Sequence, residues 1–520
     1  MSAREETVLS SPIESPDFQD VGAAATLSVS RRHFLVGATA ILSGMGLLPW
    51  LEGCATTAPP IETEVPATDL PWEELRKKLS GPLLRPGDRG YLAKALPWNR
   101  RYAGTRPAGI ASCRNPADVQ QSIRWARANR VPLIVRSGGH SYAGYSTTEG
   151  LMIDVAGLNG FAYDEKTGRA VLGGGARNAN VYEALRPLGR AVVHGRCLGV
   201  GVAGLVLGGG IGFNMRRFGV TCDLLESTDI VTSDGEILTC DRDRNPELYW
   251  ACRGGGGGNF GVNTSLTFQT FPVSELTVFS IQWNQGLEEV FAALLALLPK
   301  TPDRLGGKVS VRVSADGSLA VALLGQLVGP PSELRGLLEP AYSKAKPSVE
   351  RVEVRSYWDG QTFLSEEGCP EYSHESSRYV YKDIPAAGVA TIFDYLRRWP
   401  GTSIGADWKA FLVGGAIDRT GRRETAYVHR GASQLSSIEV EWNAEDPKDL
   451  VLENLAWQME FHQAMAPFTS NESFQNFIDG SQADYLRAYY AENLEGLVAA
   501  KRRYDPSNTF KFPQSIPLSI

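Results

Sequence analysis

At 520 residues the chain exceeds what one hydrophobic core serves, so two or more domains are expected. Its 43% hydrophobic and 21% charged residues are ordinary for a soluble globular enzyme, and a net charge of −6 without a long basic run excludes a nucleic-acid track. The 55 glycines are clustered, which signals tight turns or close backbone approach to a ligand.

In chain order, Ser30-Arg31-Arg32-His33-Phe34-Leu35 leads into an apolar stretch from Leu35 to Leu48. That stretch is short for a bilayer span. Paired arginines before a mild apolar core read as a twin-arginine signal over residues 1–58. The expectation is export, folded and loaded with cofactor, through the twin-arginine translocase to the periplasm or beyond. Leu51-Glu52-Gly53-Cys54 is an imperfect lipoprotein box, making Cys54 a candidate lipid anchor. Residues 59–94 read as a linker or N-terminal extension.

Residues 95–274 read as a domain of short elements and glycine loops. Asn115-Pro116 starts a helix, Asn as cap and Pro in the first turn, with Val119, Ile123 and Ala126 on its apolar face. "VPLIVR" is a short buried strand, followed at once by the loop "SGGHSYAG". "LMIDV" and "RAVLGGG" are strands, and residues 176–188 a helix. "DIVTSDGEILTC" is a hairpin turning at Asp234-Gly235. Asn245-Pro246 caps another helix, and "VNTSLTFQTFPV" is a strand after "RGGGGGNFG". Over 275–470 the glycine clusters vanish. "KVSVRVSADGSLAVALLGQLVG" reads as a hairpin and "SSIEVEW" alternates at period two, which suggests a second domain on an antiparallel sheet. In 471–520, Leu486, Tyr490, Leu494, Leu497 and Tyr504 stripe one helix that stops at Asp505-Pro506. The fold class is α+β.

Successive glycines with free N–H groups make an anion-binding concavity, and three such loops in one half suggest a large phosphate-bearing cofactor. No P-loop is present. Gly199–Gly204 matches Gly-x-Gly-x-x-Gly, yet His194-Gly195-Arg196-Cys197 interrupts the strand before it and no acidic residue ends a clear second strand. An NAD-dependent dehydrogenase is therefore a secondary reading. No Cys-x-x-Cys pair or zinc spacing occurs among seven cysteines, so no metal is expected; Cys222, Cys240 and Cys252 read as buried thiols. His140 and Cys197 each put a nucleophile in a glycine-rich loop. A Cys–His hydrolase would use such a pair but would leave the glycines without a role.

The long motifs "PLIVRSGGHSYAGYSTTEG", "GRCLGVGVAGLVLGGGIGFNMRRFGVTCDLL", "YWACRGGGGGNFGV" and "YYAENLEGLVAAKRRYDPSNTFKFPQSI" resemble the berberine bridge enzyme family of the vanillyl-alcohol oxidase flavoproteins, over about residues 95–520. The resemblance implies a two-part FAD-binding domain, an antiparallel-sheet substrate domain and a C-terminal segment returning to the FAD domain. It implies FAD doubly attached, the 8α position through His140 and C6 through Cys197. By the same likeness Arg136, Ser137, Gly138, Gly139, Ser141, Val200, Gly201, Gly204, Gly208, Gly209, Gly210 and the segment at Val262 line the cofactor, and Asn508 and Gln514 belong to the closing motif.

The implied reaction is oxidation of an alcohol on a sugar, oligosaccharide or bulky metabolite, which needs a base for the hydroxyl proton. Where the family often carries Tyr-x-Asn-Tyr, this chain has Phe474-Gln475-Asn476-Phe477: the asparagine stays and both phenols are gone. The strand "SSIEVEW" offers a substitute, with Ser437, Glu439 and Glu441 on one face. Glu439 or Glu441 is the expected base, Tyr142 a substrate or flavin contact. Val200, three residues past Cys197, sits where family oxidases carry valine, implying O2 as acceptor. The loss of both tyrosines also fits an exported flavin-containing binding protein without turnover.

Overall fold

The computed structural model describes residues 70–520. The twin arginines, Cys54 and residues up to 69 lie outside the described residues. Residues 70–94, read as linker, are folded instead. The Trp72–Lys78 helix buries Trp72 and Leu75, Trp72 lying 4.5 Å from Trp125, and Leu83–Leu84 pairs antiparallel with Gly109–Ser112. Large apolar rings at positions 72 and 125 make this contact favourable, since burying such side chains contributes about 1.5–3 kcal/mol each.

Two sheets carry the glycine-rich half. In the first, Gly109–Ser112, Leu151–Asp154 and Leu133–Arg136 run parallel. The Pro116–Ala128 helix links the first and third of these, capped as expected by the Asn115 side chain accepting from Asp118 N. The second sheet is antiparallel, in the order Phe161–Asp164, Arg169–Gly173, Val262–Gln269, Leu225–Val231, Ile237–Cys240. Asn245 does not cap the Pro246–Ala251 helix: its amide nitrogen donates to Thr239 O at 2.9 Å. The expected 176–188 helix is shorter, Asn178–Leu185.

A seven-stranded antiparallel sheet forms the other half. Its order is Val349–Arg355, Leu276–Trp283, Leu319–Leu327, Leu305–Ser314, Gly405–Leu412, Gln434–Trp442, Tyr372–Val380. Side chains alternate across it. Val309, Val311, Trp408, Ala410, Ile438 and Val440 pack into a core with the helices Leu287–Leu297, Ala386–Arg397 and Lys448–Ala464. Trp408 meets Phe291 edge-on at 5.5 Å. The intervening residues Lys308, Arg312, Asp407, Lys409, Glu439 and Glu441 therefore emerge on the opposite face, toward the glycine-rich half.

The C-terminal stripe is two helices rather than one. Tyr485–Tyr490 ends where Ala491 takes φ +40°, and Leu494–Tyr504 begins after a short 3-10 turn. Their apolar faces join the core of the glycine-rich half, so the chain ends where that half began. None of the described helices is long and apolar enough to cross a membrane.

Candidate active site

A cavity of about 630 Å³ lies between the glycine loops and the seven-stranded sheet, well within the range of cofactor and small-molecule sites. One wall is backbone. Gly138 and Gly201 pack so closely that a Cβ on Gly138 would collide with Gly201 N, and one on Gly201 with Gly138 N. Side chains are excluded there for lack of room. Gly204, Gly257 and Gly258 are the reverse case. A Cβ on Gly204 meets nothing within 4 Å, and on Gly257 and Gly258 the first contacts are 3.8 and 3.9 Å away. All three line the cavity, so bare backbone faces an open trough into which a phosphate chain can settle. Gly254 N and Gly256 N donate to Leu207 O, fastening the "RGGGGGNFG" loop to the Val202–Leu207 helix. This cradle suits a long dinucleotide such as FAD.

His140 and Cys197 stand together at one end. A Cβ on Gly368 would be 3.0 Å from Cys197 Sγ and 3.2 Å from His140 Cε1, so the two side chains converge on one glycine of the other half. The segment 366–371 holds them there. Leu198 N donates to Glu366 O, Trp98 Nε1 to Gly368 O and Glu371 N to Trp98 O. Burial lowers the His140 imidazole to about 4 and raises the Cys197 thiol to about 12, with Glu366 adding to the latter. Near neutral pH the imidazole is uncharged, with a free lone pair, and the sulfur is a thiol. A hydrolase of the Cys–His type needs a thiolate, and this site disfavours one.

The opposite end is made of charge. Asp407, Glu439 and Glu375 stand side by side on three neighbouring strands. Lys409 Nζ sits among them, donating to Glu439 Oε2 and lying 3.2 Å from Glu375 and 3.8 Å from Asp407. Burial alone would lower the lysine, but Asp407, Glu375 and Glu439 hold its ammonium well above its ordinary value. Arg312 Nη2 donates to Glu441 Oε2 at 2.6 Å. Burial pushes Glu375 up to about 7; burial, with Glu439 and Glu441 beside it, pushes Glu371 up to about 8. Aromatic rings bridge the two ends. Trp98 stacks on His140 at 4.8 Å and on Tyr142 at 5.5 Å, and Tyr142 stacks on Phe477 at 5.5 Å. Burial, then Glu375 and Glu439, push the Tyr142 phenol well above its ordinary value, so it is a hydrogen-bond donor rather than a base.

Of the residues expected here, Ser137, Gly138, Gly139, His140, Ser141, Tyr142, Cys197, Val200, Gly201, Gly204, Glu439, Glu441 and Asn476 line the cavity. Asn476 is also a clasp: its amide donates to Leu205 O at 2.8 Å. Others are displaced from the wall. Arg136 turns away, its guanidinium donating to Ser146 O and to the carbonyls of Lys94, Ala95 and Leu96. Gly208, Gly209 and Gly210 are packing glycines, pressed against Asn476, Tyr427 and Thr221. Val262 is core, and its neighbours Gly261 and Asn263 line the cavity instead. Gln514 donates to Asp479 O, and Asn508 sits in a left-handed turn at φ +49°; Phe512 is the closing-motif residue that reaches the cavity. Sequence reasoning missed Lys308, Arg312, Glu371, Glu375, Asp407 and Lys409. The signal was available for four of them: Asp407 and Lys409 alternate with apolar residues in "GADWKAFL", and Lys308 and Arg312 in "KVSVRVS", as the glutamates do in "SSIEVEW". The Gly199–Gly204 match has no βαβ unit around it, because the strand before it, Arg190–Ala191, is antiparallel to Phe271–Pro272. All six described cysteines are free, and Cys222, Cys240 and Cys252 are buried.

Fold and site together define a flavin-nucleotide enzyme. Residues 107–241 match the FAD binding domain family and 473–517 the berberine and berberine like family. An FAD-linked oxidoreductase of Bacillus subtilis (strain 168), YgaK, is 33% identical over 419 residues, spanning 79% of this chain and 91% of that protein. The (R)-6-hydroxynicotine oxidase of Paenarthrobacter nicotinovorans is 29% identical over 459 residues, 84% of this chain and 97% of the other. Among solved structures, Physcomitrella patens BBE-like 1 superimposes with a TM-score of 0.79 at 26% identity, covering 86% of this chain and 99% of that one. The chain belongs to the berberine bridge enzyme-like FAD-linked oxidoreductases of the vanillyl-alcohol oxidase superfamily. Neither an NAD dehydrogenase nor a flavin carrier without turnover is favoured by these relatives.

Proposed function

We propose that the chain oxidises a CH–OH group of a sugar, oligosaccharide or bulky secondary metabolite, with FAD attached through His140 and Cys197 and O2 as final acceptor. The single observation that carries this reading is the convergence of His140 and Cys197 on Gly368, at one end of a cavity whose other end is the glutamate face. His140 contributes a neutral ring nitrogen and Cys197 a sulfur that must shed its proton to bond. Ser137, Gly138, Gly201, Gly204, Gly257 and Gly258 would hold the pyrophosphate and ribityl portions. When bound, the flavin supplies the two-electron acceptor.

The chain's own residues handle the proton. Glu439 accepts it from the substrate hydroxyl, and Lys409, donating to Glu439 Oε2, holds that carboxylate in place. Phe474 and Phe477 cannot replace it, having no ionisable group. Tyr142 and Phe477 give the substrate an aromatic wall. Val200 in the cavity wall leaves access for O2, with hydrogen peroxide as the expected co-product. Export by the twin-arginine route, with Cys54 as a lipid attachment point, belongs to the same reading. In anaerobic flavin bleaching with a panel of sugars and polycyclic alcohols, wild type should bleach with at least one. Glu439→Gln should slow that bleaching by about 10²–10⁴-fold, the usual contribution of a general base. Unchanged bleaching in Glu439→Gln would remove the glutamate from this role.

A further inference from the structure

Behind the cavity wall, a buried histidine is joined to the cofactor loop by a single side chain. Gln475 lies in the Phe474–Phe477 stretch of that wall. Its amide nitrogen donates to Gly254 O at 2.7 Å, and its Oε1 lies 3.1 Å from His429 Nε2. A carbonyl oxygen can only accept, so Gly254 O decides which way the amide points. Gln475 Oε1 then accepts as well, and His429 Nε2 has to supply the hydrogen. The other ring nitrogen, Nδ1, lies 2.8 Å from Glu472 Oε2. Glu472 also accepts from Tyr381 OH at 2.6 Å and from Arg422 Nη2 at 2.8 Å. Burial raises this carboxyl, but the hydrogen bonds from His429, Tyr381 and Arg422 outweigh burial and hold it at about 2. Both ring nitrogens thus face acceptors, and both bonds form together when each nitrogen carries a proton. Tyr379 stacks on the ring at 4.2 Å and Tyr427 meets it edge-on at 5.2 Å. Arg422, itself paired with Glu492, stands beyond Glu472, and Arg430 beyond Tyr427.

We propose that His429 is a positioning residue for the FAD cradle: doubly protonated, it fixes the Gln475 amide, and that amide holds the Gly254 carbonyl and with it the glycine loop. The loop continues through Gly257 and Gly258, which line the cavity. A ring with one proton keeps it on Nδ1, facing the carboxylate. Its Nε2 lone pair then opposes Gln475 Oε1. The amide either turns over, setting its oxygen against Gly254 O, or draws back, and in both cases the Gly254 carbonyl loses its donor. Leaving such a buried acceptor unpaired is costly. Burial draws the imidazole below its ordinary 6.5, against the upward pull of Glu472 and Gln475, so the change of charge falls on the acid side of that value. The cradle is therefore held more firmly in mild acid than at neutral pH.

The test has two readouts. In the first, the full chain carrying His140→Ala and Cys197→Ala, which leaves FAD no covalent anchor, is titrated with FAD from about pH 5 to pH 8. Its dissociation constant is expected to rise about tenfold across that range, the usual worth of one charge-assisted hydrogen bond. Adding His429→Phe, which keeps the stack on Tyr379 and donates nothing, should give the weaker affinity at every pH. Gln475→Met should do the same with the histidine intact. The second readout is backbone hydrogen exchange over residues 254–258 of the wild-type holoprotein, corrected for the intrinsic effect of pH. Protection of the loop should fall with rising pH in wild type and stay low and level in His429→Phe. This readout decides the matter if the anchorless chain binds no FAD. Loop protection that does not change with pH in wild type, or a change that survives His429→Phe, would overturn the proposal. A wild-type chain that gives up its FAD on unfolding would remove the covalent reading and leave both readouts of the clasp valid.

Discussion

The two ends of the cavity are built from opposite materials. The cofactor end is backbone: glycines that either touch, as Gly138 and Gly201 do, or stand bare, as Gly204 and Gly257 do. The far end is side chain: a sheet face where Asp407, Lys409, Glu439 and Glu375 share one electrostatic balance. The first end recognises a shape by leaving atoms out. The second sets charges against one another, Lys409 facing Asp407, Glu375 and Glu439. A change at the first should act through space, and at the second through protonation.

The sharpest break of that contrast is Gly138→Val. It thrusts a branched side chain into Gly201 N, and we expect loss of yellow holoprotein, checked by visible absorbance of the soluble fraction. Lys409→Met comes next. It leaves buried carboxylates without their shared cation, which should cost about 3–5 kcal/mol in denaturant unfolding, as for other broken buried ion pairs. A cost below about 1 kcal/mol would mean that those acids are already protonated and need no partner.

The smallest effect is in the pH profile of stability. Burial lowers His194 and His462 to about 4 from an ordinary 6.5, so between those values the unfolded chain binds more protons and stability rises with pH. Glu375 and Glu371 are raised to about 7 and 8 from 4.5, so the folded chain holds their protons and stability falls as pH climbs through that range. Above about pH 6.5 only this second trend remains among these four groups. Thermal unfolding between pH 6.5 and 8 should show a decline in wild type that is shallower in Glu375→Gln.

The same contrast explains what the sequence disclosed. Glycine clusters are local, so His140, Cys197 and the loops around them were legible, and they do meet at one cavity. The glutamates at 439 and 441 were legible because period-two alternation marks a two-faced strand. Their partners Lys409, Glu375 and Arg312 could not be assigned to them, because alternation gives a residue its face while strand pairing gives it its neighbours, and register between strands far apart in the chain is a property of tertiary structure. Arg136 and Gly208–Gly210 stand off the cavity wall for a related reason. A motif position says which loop a residue belongs to, while neighbouring chain, here the carbonyls of 94–96 and the side chains of Asn476, Tyr427 and Thr221, decides which way it faces. The expected single C-terminal helix failed at Ala491, whose positive φ no periodicity foretells.

The most direct measurement is intact mass of the purified chain under denaturing conditions, for wild type, His140→Ala, Cys197→Ala and the double variant. The account predicts one FAD retained in wild type and in each single variant, and none in the double. Wild-type chain at its bare polypeptide mass, with the yellow colour lost to the supernatant, would contradict it.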